Sequence, residues 1–380
     1  MNVYDIVKDD FINGELRFKH PFHMYDAIHD IPGCLEACLS DEMIAKCDEF
    51  MKGKTFKNVF FVGCGTSLNS GMIAAAAVRE LFRIPTFAKN GFDFMEEDMV
   101  EFSSESLVIC SSHSGNTVPT CFAKDKAKKA GCTVISVIGN PGTKLAEGAD
   151  LVIVDPYERE NVYGKTRSYL SAALLETLPV IVTRPAEERE AALADARQMV
   201  RDIAGSMAGW DEQITALAHD WGHRINRFML AGMGILSVNA IEISLKILEV
   251  LTEPAIGFGL EESIHGPVAA YWPNTGVVLF HADDRVTWRT RDIDNAVNAS
   301  LASDLIITTD PDAGWNEKAA VISIPKAKPA WAVYASAVVG QLLVYYMAVE
   351  KGYITDINGK DRNPKTIDSR VFLKFSPRDK

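Results

Sequence analysis

The sequence predicts an α/β protein made of two similar halves, each a doubly wound, mainly parallel sheet flanked by helices. Three observations carry that prediction. Short apolar, β-rich runs such as NVFFV (58–62) alternate with helical stretches, the pattern of strands buried on both faces of a parallel sheet. A strand, a Gly-x-Gly turn and a helix at 56–81 (FKNVFFVGCGTSLNSGMIAAAAVREL) recur at 227–250 (RFMLAGMGILSVNAIEISLKILEV). Gly63 and Gly65 of the first copy match Gly232 and Gly234 of the second at an offset of 169 residues, too long a period for a solenoid.

Composition narrows the class. A chain of 380 residues is long enough for two or three domains, and 47% apolar with 24% charged residues excludes a disordered or fibrous protein. The longest nearly uninterrupted apolar run, Val338 to Val349, has twelve residues and is broken by Gly340 and Gln341. A membrane span needs about 20, so none is expected. The start, MNVYDIVKDD, has neither the basic nor the apolar region of a secretory signal. Seven cysteines, all between Cys34 and Cys132, show no C-x-x-C and no histidine at zinc spacing, so they read as reduced thiols of a cytoplasmic protein. A net charge of −12 argues against nucleic acid or an anionic membrane as partner, and any phosphate must be held by local donors against the overall field.

Along the chain, residues 1–55 read as an N-terminal helical segment. The first α/β domain is placed at 56–200, with further strands at Leu107 to Cys110, Thr133 to Ile138 and Leu151 to Val154. A polar, helix-rich bridge (183–220) leads into a second domain at 201–355, with strands at Val277 to Phe280, Leu305 to Thr308 and Ala320 to Ile324. Residues 356–380 form a C-terminal tail. The glycine turns are poor dinucleotide sites, because the third glycine position holds Leu68 in one copy and Ser237 in the other.

The hydroxyl-bearing turns are more informative. The first glycine turn continues as Thr66-Ser67 at a helix N-terminus, and the strand at 107–110 ends in Ser111-Ser112-His113-Ser114-Gly115-Asn116-Thr117 before another helix. Both turns fall at the C-terminal edge of a parallel sheet, where ligands bind in such folds. Hydroxyls and free N–H groups there can hold an anion without a cationic side chain. Helix capping is the plainer explanation of one such turn, but two on neighbouring strands favour a phosphate site. In the second half, Glu242, Lys246 and Glu249 share one helical stripe, with apolar neighbours all round, so the helix reads as buried. A carboxylate in a buried cleft is a candidate acid–base group; a salt ladder is the alternative. His265 precedes Gly266-Pro267 and sits on a turn.

VGCGTS followed by SSHSGNT resembles the sugar isomerase (SIS) domain, and the resemblance covers nearly the whole chain as two tandem domains, as in the isomerase half of glucosamine-6-phosphate synthase. It implies Ser67, Ser112, Ser114 and Thr117 as phosphate ligands, with Gly65, Thr66, His113, Lys165, Glu262 and Arg370 as further substrate contacts. The second copy has His281-Ala282-Asp283-Asp284 where a serine loop would stand, and acidic residues there would repel phosphate. The family places a catalytic Glu sixteen residues before the His of an E-x-x-H-G-P turn, and Glu249 stands sixteen before His265 in Glu262-Ser-Ile-His-Gly-Pro267. The resemblance implies that His265 opens the sugar ring, reaching a neighbouring subunit's site in a homodimer or larger assembly. Glu249 would then move the proton between C1 and C2.

The tail NPKTIDSRVFLKF departs from the synthase pattern, having Ser369-Arg370 near the expected lysine, and no N-terminal glutaminase is legible. His113, the order of the serine loop, Gly91-Phe92-Asp93-Phe94 and Lys165-Thr166 are instead similar to ketosamine-6-phosphate deglycases. The resulting expectation is a deglycase that releases an amine or amino acid from a 6-phosphorylated ketosamine, with no metal or redox cofactor. An aldose–ketose isomerase or deaminase of glucosamine 6-phosphate or a related phosphosugar is the alternative, and a non-catalytic phosphosugar sensor a minor one.

Overall fold

The computed structural model describes residues 16–157, 160 and 162–363. Its ten strands form two separate five-stranded sheets, parallel throughout. The chain begins with three helices, α1 (His23–His29), α2 (Ile31–Cys38) and α3 (Asp41–Met51). The first sheet contains β1 (Asn58–Gly63), β2 (Thr86–Asn90), β3 (Ser106–Ser112), β4 (Thr133–Ile138) and β5 (Leu151–Val154). It is wound with α4 (Thr66–Phe82), α5 (Gly91–Glu96), α6 (Val118–Lys129) and α7 (Arg167–Ile181). A 36-residue helix, α8 (Ala186–Trp221), fills the expected bridge. The second sheet contains β6 (Arg227–Gly232), β7 (Ala255–Gly259), β8 (Thr275–His281), β9 (Ser303–Thr308) and β10 (Ala320–Ser323). Its long helices are α9 (Leu236–Lys246), α10 (Thr287–Ala299) and α11 (Pro329–Glu350).

Strand order in the first sheet is β2-β1-β3-β4-β5, and the second, read from β7, repeats it as β7-β6-β8-β9-β10. In this order the winding reverses between the first and third strands, leaving a crevice beyond their C-terminal ends. Gly65 and Gly234, which open α4 and α9, share the same left-handed φ of 58°. A Cβ on Gly63 would lie 2.4 Å from the Ser67 carbonyl oxygen, and one on Gly232 2.6 Å from that of Leu236. The two copies therefore need glycine for the same close approach of helix to strand.

Two strands were not expected. β2 (TFAKN) and β7 (AIGFG) lie at or near a sheet edge and are mostly half-exposed, so neither has a continuous apolar run. Residues 257–259 complete β7, and a chain of turns that carries His265 begins at Leu260. A second difference concerns the helix that bears Glu249. It is α-helical only to Lys246 and then widens into one π-helical turn, Ile247–Leu251.

The compact units also differ from a linear division. One comprises 33–160 and 167–197 around the first sheet; the other gathers 16–32 and 161–166 with 198–363 around the second. The reason is visible in the contacts of α1, whose first N–H groups, on His23 and Met24, donate to the Asp356 carboxylate. The Phe22 N–H likewise donates to the Tyr345 hydroxyl. Helix α11 contains the apolar run around Val338 and, at 22 residues, is long and apolar enough to cross a membrane, yet 89% of its most apolar window is buried inside the protein.

Candidate active site

The serine loop grows directly out of β3, a strand buried along its whole length. Ser112, the last strand residue, is buried; its hydroxyl lies 2.8 Å from Thr117 Oγ1 and 3.3 Å from Ser114 Oγ. The Gly115 N–H donates to Ser112 Oγ at 3.1 Å, and the Asn116 N–H donates to Ser114 Oγ at 3.3 Å. Three hydroxyls and two amide donors thus converge at the C-terminal end of β3 and the start of α6. The capping explanation fails for Thr117: it is the N-cap of α6, but its side chain makes no capping bond and turns to Ser112. The other turn carries Gly65, Thr66 and Ser67 at the start of α4, whose N-cap is a glycine with no side chain to give. The Ser67 and Leu68 N–H groups turn inward to the Cys64 and Gly65 carbonyls, so this turn offers an anion its hydroxyls and the positive end of α4. Cys64 Sγ and Thr120 Oγ1, 3.7 Å apart, join the β1 turn to α6.

In the unit of the second sheet, Glu242, Lys246 and Glu249 form a buried charge triad. The Lys246 ammonium is 3.3 Å from Glu242 Oε1, both side chains being fully buried, and it is also ion-paired with Glu249 Oε2. Burial works against the lysine's charge, but the two carboxylates outweigh it and hold its pKa above the usual lysine value. Glu249 differs from Glu242 in being 27% exposed at its side chain, so it is the member that solvent or a ligand can reach. The salt-ladder alternative is therefore half right, since the charges do pair, though inside the protein. Glu249 lies on the π turn and meets Lys246 from position i+3. Single π turns in α-helices occur often at functional sites.

Gly164 backs this carboxylate, since a Cβ there would stand 3.4 Å from Glu249 Oε2. The start of the C-terminal tail reaches the same turn, with Arg362 Nη2 donating to the Val250 carbonyl at 2.7 Å.

His265 lies in turns stitched by Ser263 N–H to Gly259 O and by the Ser263 hydroxyl to Leu260 O. Its ring is 63% exposed and 3.3 Å from Glu261 Oε1, while Arg289 pairs with the other oxygen of that carboxylate, Oε2, at 2.9 Å. No hydrogen bond or ion pair joins His265 to Glu249 among the described residues.

Residues 55–178 match the SIS domain. They form a SIS domain. Over most of its length the chain is similar to glutamine–fructose-6-phosphate aminotransferase (isomerizing) from Aquifex aeolicus, at 25% identity over 340 residues, 89% of this chain and 56% of that protein. The same enzyme from Haemophilus influenzae is 27% identical over 82% of this chain and 52% of its own length. The chain thus spans just over half the length of these relatives. Among solved structures, the C-terminal domain of glucosamine-fructose-6-phosphate aminotransferase from Francisella tularensis superposes with a TM-score of 0.79 at 19% identity, covering 89% of this chain and 98% of that one. A glucosamine-6-phosphate deaminase from Thermotoga maritima gives 0.68 at 19% identity, covering 88% and 96%.

The SIS turn of the first half has an altered counterpart in the second. His281 ends β8 as Ser112 ends β3, again 169 residues apart. Its ring is buried between Thr308 Oγ1 at 2.9 Å and Thr287 Oγ1 at 3.0 Å, and burial lowers its pKa. Asp283 caps the next turn and pairs with Arg285. That turn is self-contained and acidic.

Other expected residues are dispersed. The His113 ring packs on the Gly139 backbone. The Lys165 ammonium folds back to the Val162 carbonyl, in the segment that contains Gly164. Glu262 is exposed on the His265 turn, and Arg370 lies outside the described residues. Cys34, Cys38 and Asp155 bring donor atoms within 4.8 Å of one another, but Asp155 already accepts hydrogen bonds from Ser171 and the Tyr157 N–H. Burial pushes the Cys38 thiol up, so the group is a hydrogen-bonded knot. Sequence reasoning missed Glu176, a fully buried carboxyl beneath the serine turns; in the sequence it is the one acidic residue of a mostly apolar helix.

Proposed function

We propose that this protein is an enzyme that moves a proton between adjacent carbons of a phosphorylated sugar, and that its substrate is a 6-phosphorylated ketosamine. The observation that carries the reading is the triad, a reachable Glu249 carboxylate on a π turn held by the fully buried Lys246, in a chain whose residues 55–178 match the SIS domain. The hydroxyl cluster of Ser112, Ser114 and Thr117, with Ser67, receives the phosphate. His265 assists ring opening, supplied by a second subunit in a homodimer or larger assembly; its exposure on an outward turn supports donation to a neighbour.

The chemistry then needs only a base and water. Glu249 takes a proton from C1 of the open-chain ketosamine while the C2 oxygen gains one, giving an enaminol. Return of a proton to C2 gives the imine of glucose 6-phosphate with the amine. Water adds to C1, the C1–N bond breaks, and glucose 6-phosphate and the free amine or amino acid leave.

A second reading, aldose–ketose isomerisation or deamination of an amino sugar phosphate, uses the same proton transfer. The names of the isomerizing aminotransferases and the deaminase favour it. A panel of 6-phosphorylated ketosamines, glucosamine 6-phosphate and fructose 6-phosphate, assayed for amine release and for sugar interconversion, separates the two. Amine and glucose 6-phosphate from a ketosamine is the expected result. Interconversion or ammonia release without ketosamine cleavage would replace the deglycase reading with the second, and no turnover of any member would defeat both.

A further inference from the structure

The Glu176 carboxyl sits in the first unit between the two hydroxyl-bearing turns, and the hydrogen-bond count around it does not close if it is ionised. Ser70 Oγ lies 2.9 Å from the Ser67 carbonyl oxygen and 2.8 Å from Glu176 Oε1. A serine hydroxyl has one proton, so it can donate to only one of these two acceptors. Both contacts are hydrogen bonds if Glu176 supplies a proton to Ser70 while Ser70 donates to Ser67. On its other side the carboxyl faces Ser111, next to Ser112, and Oε2 has no partner among the described residues within hydrogen-bond distance.

We propose that Glu176 is a positioning residue that works protonated, tying Ser67 through Ser70 into the arrangement that receives a phosphate, beside Ser111 and Ser112. The proposal rests on the phosphate reading of those turns. The duplicated half supplies a comparison. The positions 169 residues after Ser70 and Gly71 are Asn239 and Ala240. There Asn239 donates to Ser336 Oγ and the Val333 carbonyl through its amide, in the half whose turn is acidic. Gly71 lies beside the acid: a Cβ there would stand 3.4 Å from Glu176 Oε2 and 3.1 Å from Phe61 Cβ.

Burial pushes the Glu176 carboxyl up to about 8, against the opposing effect of the Ser70 and Ser111 hydroxyls. No charged group contributes to that shift: α4 presents Ser70 and Gly71, and β3 presents Ser111 and the buried thiol of Cys110. A proton lost from Glu176 would place a negative charge beneath the bound phosphate and break the Ser70 link.

The test is calorimetric binding of glucose 6-phosphate, dianionic above about pH 7, from pH 7 to 9.5. It uses wild type, Glu176→Gln, Glu176→Ala and Ser112→Ala/Thr117→Ala. Wild-type affinity should fall on the order of tenfold as pH passes about 8, the cost of one nearby buried charge. Glu176→Gln, which keeps an N–H donor and cannot ionise, should bind within about threefold of wild type at pH 7 with a flat profile. Glu176→Ala should bind weakly at every pH. A Gln variant that falls in parallel with wild type, or fails at pH 7 while melting normally, overturns the proposal. If wild type binds and the Ser112/Thr117 variant does not, that failure belongs to Glu176 alone. If wild type and the Ser112/Thr117 variant bind alike, the phosphate reading itself is lost, and the proposal with it.

Discussion

Replacing Lys246 with methionine should destabilise the second-sheet unit more than any change at Glu249. Lys246 and Glu242 are both fully buried, 3.3 Å apart, and Glu249 completes the triad from a partly exposed position. Methionine keeps the length and the apolar stem but removes the cation, leaving the Glu242 carboxylate buried without it. Breaking a buried pair in this way costs about 3–5 kcal/mol. For a unit of about 200 residues, each kcal/mol lowers the melting temperature by about 2–4 °C, so a fall of about 6–20 °C is expected. Differential scanning calorimetry at pH 7 reads it directly. Two companions make the argument specific. Glu242→Gln/Lys246→Met removes the orphaned charge and should recover at least half of the loss. Glu249→Gln leaves Lys246 with one buried carboxylate and should melt within a few degrees of wild type. Melting of Lys246→Met within 2 °C of wild type, or a double variant less stable than the single, would refute the view that the triad is an energetic unit.

Glu249→Gln should bind substrate almost normally while losing about 10²-fold or more in turnover, as read by kcat and by equilibrium binding. Ser112→Ala/Thr117→Ala should raise KM by about 10²-fold with little effect on kcat, from two lost hydrogen bonds to a charged group; a substrate without phosphate should be poor with wild type and hardly worse with the variant. An equal mixture of His265→Ala and Glu249→Gln, dissociated and reassociated, should regain about a quarter of wild-type activity if each site takes one residue from each subunit, whereas self-contained sites would regain none. Burial, with Asp294 beside it, pushes the Asp304 carboxyl up to about 8, so the stability tied to its proton falls away as pH rises toward that value and is gone above it. Asp304→Asn should flatten that decline in melts from pH 5 to 9, and a parallel decline in the variant would sink the assignment.

The parts of this fold legible in the sequence are those where burial leaves no choice. β1, β3 and β8 are buried at every position, so their sequences are continuous apolar runs that a reader can find. β2 and β7 are not, and TFAKN or AIGFG could equally be loop. The tight glycine turns announced the duplication because their sterics are local. The charge triad was legible as a stripe, since spacing along a helix is set by its period. Its π turn was not, because ILEVL has no residue that forbids an ordinary α turn. Glu176 was invisible for a different reason: its character comes from Ser70 and Ser111, which lie 106 and 65 positions away in the chain. The roles of Ser112 and Thr117 sat between these cases; either could have capped a helix, and only the direction of Thr117's hydroxyl decides against it.

The π turn at Ile247–Leu251 also confines its extra residue to the turn itself. A π turn holds about one residue more than an α turn. Deleting a single residue there would let the helix close as regular α, and because the surplus is taken up inside the turn, Thr252 and the approach to β7 would stay nearly in place. β7 pairs with β6 from Phe228↔Ala255 to Gly232↔Gly259, and Gly257 sits where a Cβ would lie 2.3 Å from the Ala240 carbonyl oxygen. The sheet would keep that glycine at its tightest point. What would change is which side chain of the turn meets Lys246, so the turn can be re-aimed without disturbing the outer strand.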